Sequence, residues 1–172
     1  MFTREFLSEL IERAGRDRAD GAHSCGFVLQ FLYTADAVRN HLRRSLAEHG
    51  GTECGFKVLT TLRADGGGPL PPSEIAERCG MFRGALTDVL ARLEASGFVK
   101  RHRNESDRRQ VLAELTPRGR RQCEQIIDHY LRAILDLAAA VRPPTRPLLN
   151  DALTEMIRRA DRTPPSLISH ER

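Results

Sequence analysis

No run of apolar residues in this chain approaches the roughly 18 that a membrane-spanning helix requires. The first residues, MFTREFLSELIER, are charged throughout, which is not the pattern of a secretory signal. The cysteines, Cys25, Cys54, Cys79 and Cys123, lie far apart, and none is spaced as CxxC. A disulfide framework is therefore not expected. His23, His41, His49, His102, His129 and His170 show no metal-ligand spacing either. The expectation is a reducing, cytoplasmic protein with no cofactor and no metal. Phosphate-binding glycine loops, GxSxG and HExxH are all missing, so an enzyme is not expected. GGGP, at residues 66–69, lacks a Lys-Ser/Thr sequel and reads as a linker.

At 172 residues the chain is long enough to bury a core as one domain, or one domain with an appendage. Its net charge is only +4, but the distribution is uneven. Between Phe98 and Arg121 stand eight basic residues (Lys100, Arg101, Arg103, Arg108, Arg109, Arg118, Arg120 and Arg121) and three acidic ones (Glu105, Asp107 and Glu114). That local excess leaves the rest of the chain close to neutral and suits a polyanion, with nucleic acid the leading candidate.

Helical periodicity dominates. Phe2, Phe6, Leu7, Leu10 and Ile11 predict a short amphipathic helix over residues 3–14, ended by Gly15 and the polar stretch to Gly21. The stripe Phe27, Val28, Phe31, Leu32, Ala35, Val38, Leu42 and Leu46 predicts a long helix over about 24–48, stopped by Gly50-Gly51. Thr52 is placed to cap a third helix carrying Phe56, Leu59 and Leu62. GGGPLPP, residues 66–72, reads as a loop with Pro72 at a helix start. SEIAERCG gives a short helix ending at Gly80, and Ala85, Leu86, Val89, Leu90 and Leu93 stripe the next one, with Gly97 as its C-cap.

Phe98-Val99 and the alternating Val111, Ala113 and Leu115 then predict a hairpin with a basic tip. Thr116-Pro117 opens a long helix to about Val141, PPTRP breaks it, and Leu148, Leu149, Ala152, Leu153, Met156 and Ile157 line a last helix over about 147–160. The tail TPPSLISHER reads as frayed. Short helix, tight turn, second helix and hairpin is the order of a winged helix-turn-helix, in which the second helix enters the major groove. The arginines of KRHRNESDRRQ then sit on the wing, where phosphates or a narrow minor groove would meet them.

LPPSEIAERCG, RGALTDVLARLEASGFVKR and DRRQVLAELTPRGR together resemble the MarR family of bacterial transcription regulators, over residues 25–160. Asp107-Arg108-Arg109 matches the family's D-x-R wing, and Leu115-Thr116-Pro117 with Gly119 its L-T-x-x-G helix entry. Arg92-Leu93-Glu94 with Gly97 matches the end of its recognition helix. The resemblance implies a mainly α fold with a small β-hairpin wing, a winged lobe at 52–116, dimerisation helices at 24–49 and 117–160, and an N-terminal extension at 1–22 appended to a domain at 23–172. It also implies a homodimer on a pseudo-palindromic operator in double-stranded DNA, acting as a repressor released by a small effector such as an aromatic acid.

Residue roles follow position by position. Asp107 corresponds to the aspartate that holds the wing turn, and Arg109 to the arginine that enters the minor groove or grips its phosphates. Arg83 and Thr87 fall where the recognition helix meets DNA, and Arg92 near its far end. Arg103 and Arg108 accompany them on the wing. Asp88 stands where a basic residue is common; it could accept from cytosine N4, but repels phosphate. Phe82 replaces a frequent Ser or Thr, and Gly84 and Ala85 a frequent Pro or Thr. Tyr33, His41 and Phe56 are the candidates for an effector crevice. The urate responders of the family carry a tryptophan in the first core helix; this chain has none, which disfavours urate. Two alternatives stay open: a winged-helix protein-interaction module, and a redox-responsive regulator using Cys25, which lies one turn before the position, Leu29, of the family's reactive cysteine.

Overall fold

The computed structural model describes residues 4–64, 66 and 68–162. Its elements are α1 (Arg4–Asp17), α2 (Gly21–Glu48), α3 (Glu53–Ala64), α4 (Pro72–Cys79), α5 (Arg83–Ala95), β1 (Val99–Arg103), β2 (Val111–Leu115), α6 (Pro117–Ala139), a 3-10 turn (Pro143–Thr145) and α7 (Arg146–Arg162). The fold is mainly helical with one antiparallel hairpin, as the sequence patterns predicted. Phe2 and the tail from Thr163 lie outside the described residues. The chain divides into two compact units, residues 1–134 and 135–172.

In the first unit, α3, α4, α5 and the hairpin enclose one apolar core. Val58, Leu59 and Leu62 of α3 meet Ile75 of α4, Leu86, Val89 and Leu90 of α5, and Val99, Ala113 and Leu115 of the hairpin. Leu46 of α2 and Cys123 and Ile126 of α6 close the same core. Each buried aliphatic side chain stabilises the lobe by roughly 1.5–3 kcal/mol. The expected punctuation is in place. Thr52 Oγ1 accepts from the Gly55 N–H at 3.1 Å. Pro72 stands at the first turn of α4. Gly80 ends α4 in the left-handed region, φ 61°, which a side chain would strain. Thr116 Oγ1 accepts from the Gly119 N–H at 2.9 Å and so caps α6.

Three features differ from the sequence expectation. The first helix does not stop at Gly15 but runs on to Asp17. Gly15 is a packing glycine instead: a Cβ there would lie 3.2 Å from the Ala22 Cβ, so the missing side chain lets α1 close on α2. Gly21 does the same from the other side, since its Cβ would fall 1.9 Å from the Ala14 carbonyl oxygen. α1 thus folds back as a helical hairpin on its own α2. Second, the loop before α4 is not wholly irregular. Leu70 forms a bridge to Ala113, each N–H donating to the other's carbonyl at 2.9 Å. Third, Val111 lies on the face of Ala113 and Leu115 but is not buried with them. It pairs with Arg103 at the outer end of the ladder, beyond the reach of the core, and stays exposed.

α2 buries only Leu46 fully, while Phe27, Val28 and Leu32 of its predicted stripe are exposed, Phe27 by 55% and Leu32 by 51%. The start of α6 is locked to the end of α2: Gln122 Nε2 donates to the His49 carbonyl at 3.1 Å, and the His49 and His129 rings stack with centroids 3.4 Å apart. In the second unit Arg146 donates to the Val141 and Ala138 carbonyls at 3.0 and 2.9 Å, tying α7 to the end of the preceding helix. Leu148, Leu149 and Ile157 of α7 are exposed.

Candidate nucleic-acid interface

The α4–turn–α5 pair and the hairpin carry the predicted DNA residues. On α5 the buried side is Leu86, Val89 and Leu90, which turns Arg83, Thr87, Asp88 and Arg92 to the outside. Thr87 Oγ1 donates to the Arg83 carbonyl at 3.0 Å, a bond within the helix that leaves its lone pairs available. No side chain caps the first turn of α5. Its leading N–H groups therefore keep the partial positive charge that favours an anion.

The wing tip is built by two short polar side chains. Asn104 Oδ1 accepts from the Ser106 N–H at 3.0 Å, and Asp107 Oδ1 from the Arg109 N–H at 3.0 Å. Gln110 closes the turn, its side-chain carbonyl accepting from Asn104 Nδ2 at 2.7 Å and its main-chain carbonyl from the Asn104 N–H at 2.9 Å. Such local side-chain bonds define a turn where a regular ladder would leave the backbone unpaired. Arg103 and Arg108 face a shared groove with Asn104 and Glu105.

The basic residues sort into two groups. Lys100 pairs with Glu114 at 3.0 Å, and Arg101 binds Glu94, its Nε donating at 2.7 Å. The Arg101 guanidinium holds the Glu94 carboxyl below the usual carboxylate range. Arg63 pairs with Glu124 at 2.5 Å, joining α3 to α6. Arg83, Arg92, Arg103, Arg108 and Arg109 are exposed too but form no ion pair with any described residue. The pairs of Arg63, Lys100 and Arg101 brace the lobe, whereas the guanidinium groups of Arg83 and Arg92 on α5 and of Arg103, Arg108 and Arg109 at the wing carry no such tie. Glu94 and Arg101 had no assigned role in the sequence reading. Their one signal was a carboxylate and a guanidinium seven residues apart across the Gly97 turn.

The residues considered for an effector are not brought together. Phe56 lines a cavity of about 250 Å³ with Leu42, Leu46 and Tyr130, rimmed by Arg39, Arg43 and Lys57. Phe56 and Tyr130 meet with ring centroids 5.0 Å apart. Glu53 at the rim accepts from Arg43 Nε at 3.0 Å and lies 3.5 Å from Lys57 Nζ. The Arg43 hydrogen bond leads in holding its carboxyl below the ordinary value. Tyr33 lines an adjoining groove along α2 that shares Arg39 and Arg43 with this cavity, and His41 is exposed and lines neither. Cys25 is half-buried in α2 and unpaired, and Cys123 is buried, which pushes its thiol up to about 11. Among the described residues no group of three or more His, Cys, Asp or Glu could hold a metal ion, and no helix is long and apolar enough to cross a membrane.

Residues 52–111, from the cap of α3 to the first residue of β2, match the model of the MarR family. The winged lobe is a MarR-family domain. The transcriptional repressor YetL of Bacillus subtilis is 30% identical over 104 residues, 60% of this chain and 62% of YetL. The chain spans less than two thirds of the length of the first curated relatives it matches. TtmR of Methylorubrum extorquens, named an HTH-type transcriptional regulator, is 42% identical over 111 residues, 64% of this chain and 55% of TtmR. The crystal structure of wild-type Escherichia coli MarR, in its apo form, superposes with a TM-score of 0.61 at 26% identity, over 76% of this chain and 95% of that one. NadR in complex with 4-hydroxyphenylacetate shares the fold, with a TM-score of 0.54 at 24% identity over 74% of this chain and 89% of that one.

Proposed function

We propose that this chain is a cytoplasmic, sequence-specific regulator of transcription of the MarR family that binds duplex DNA as a homodimer. One observation carries the reading: Arg83 and Arg92 on the outward side of α5, and Arg103, Arg108 and Arg109 at the wing, are exposed and form no ion pair with any described residue. Unpaired arginines at a helix-turn-helix and a wing suit phosphate and groove contacts. Asp107 serves by holding the turn that presents Arg109, and Arg83 and Thr87 address the bases. Dimerisation would use apolar side chains left exposed in one chain, Phe27, Val28 and Leu32 on α2 and Leu148 and Ile157 on α7. On this reading residues 52–116 are the DNA lobe, and 24–49 with 117–160 the dimerisation helices. Footprinting upstream of the chain's own gene should show two protected half-sites about one helical turn apart, weakening steeply with salt. Absence of protection on any duplex at low salt overturns the reading.

Repression relieved by a small acid is the finer form of the proposal. YetL is named a repressor, and NadR is seen with a phenolic acid. The cavity at Phe56 and Tyr130 offers an aromatic floor with Arg43 and Lys57 at its rim. A carboxylate would compete with Glu53 for both cations. To take occupancy from ~99% to ~1%, the acid must prefer one state of the dimer by about 5.5 kcal/mol. A panel of aromatic acids should shift melting temperature and operator affinity in the native chain, and Arg43→Ala should blunt the response. A panel without effect on either removes the aromatic acid as effector.

A further inference from the structure

Phe82 is 89% exposed, the highest fraction among the exposed large apolar side chains of the described residues. It stands at the N-cap of α5, with φ −67° and ψ 142°, and offers no side-chain cap to the helix. The turn before it sets its direction. Gly80 closes α4, the Met81 N–H donates to the Ala76 carbonyl at 2.9 Å, and Met81 packs against the core. Successive side chains of extended backbone point to opposite sides, so an inward Met81 turns Phe82 out. The Phe82 carbonyl accepts from the Leu86 N–H at 3.0 Å, which anchors its backbone to α5. Its surroundings on that rim are low: Gly84 has nothing within 4 Å of where a Cβ would sit, and Ala85 is small and exposed.

A phenyl ring held there serves neither the core nor the helix cap, and leaving it in water forgoes the gain of burial. It adjoins Arg83 at the leading end of the helix assigned to the major groove. The apolar feature of that groove is the C5-methyl group of thymine, which Phe contacts well. We propose that Phe82 is a specificity residue that packs on the C5-methyl of one thymine in each half-site. The proposal rests on the DNA-binding reading above.

The test uses duplexes selected by the full-length native chain from a random pool. Each thymine is replaced in turn by deoxyuridine, which removes the methyl alone. In the native chain one position per half-site should weaken binding about fourfold, the factor expected for one buried carbon group. Phe82→Ala should bind the thymine duplex more weakly by a similar factor and be indifferent to deoxyuridine at that position. Phe82→Leu, which keeps an apolar contact, should retain part of the discrimination. If native and Phe82→Ala chains lose the same factor at every thymine, or the native chain is indifferent throughout, the assignment is overturned while DNA binding stands. If the native chain selects no duplex, the DNA-binding reading falls and takes this proposal with it.

Discussion

The carbonyl oxygen of Phe98 occupies the space that a side chain at Gly119 would need: a Cβ there would lie 1.9 Å from it. The same carbonyl accepts from the Thr116 N–H at 3.0 Å, so it cannot move without breaking the entry to α6. Gly119→Ala should therefore destabilise the fold by about 3 kcal/mol, the upper end for overpacking a close contact. Urea denaturation measures it; a midpoint equal to that of the native chain would show that α6 has room to slide.

Glu94 ties the last turns of α5 to β1 by accepting from both the main-chain N–H and the side chain of Arg101. Arg101→Ala should leave the core intact but speed amide exchange in β1 and β2. Unchanged protection in the hairpin would mean that the ladder alone orders the wing.

Arg109→Ala should weaken operator binding by about 1–3 kcal/mol, the scale of a charge-assisted hydrogen bond. The slope of log affinity against log salt should fall by roughly one contact. Thermal melting should not move, because Arg109 is exposed and its backbone N–H, not its side chain, makes the turn. Equal affinity in the variant would favour a protein partner for the wing.

Burial first, and the charge of His49 second, hold the His129 imidazole below the ordinary histidine value of 6.5. The folded chain thus prefers the neutral ring, whereas the unfolded chain takes up a proton near that value. The contribution to stability is complete above pH 6.5 and is lost progressively as the pH falls below it. Urea midpoints taken between pH 7.5 and 5 should drop more in the native chain than in His129→Gln. Parallel curves would place the acid sensitivity elsewhere.

The helices were legible because each stripe has one period and each end a recognisable stop. Pro72, Gly80, Thr52 and Thr116 act locally, so their neighbours in sequence suffice to read them. Gly15 was misread for the opposite reason. Glycine ends helices and also lets them touch, and only the position of Ala22 decides which. Val111 follows the alternation perfectly, yet period alone does not say where the core ends. Charge count located the basic segment, but not which arginines are already matched. That depends on carboxylates such as Glu94, Glu114 and Glu124, brought near by the fold. Phe56 reached a cavity while Tyr33 and His41 did not, because a residue's turn of helix sets its direction more finely than a stripe can.

Leu70 spends both its N–H and its carbonyl on Ala113, and Pro71 and Pro72 follow at once. Two prolines allow little rotation, so α4 hangs from the wing strand on a short stiff link. The base of the wing at Ala113 and the start of α4 are thereby fixed to each other, while the tip that carries Arg108 and Arg109 lies beyond that tie and is ordered by its own local bonds.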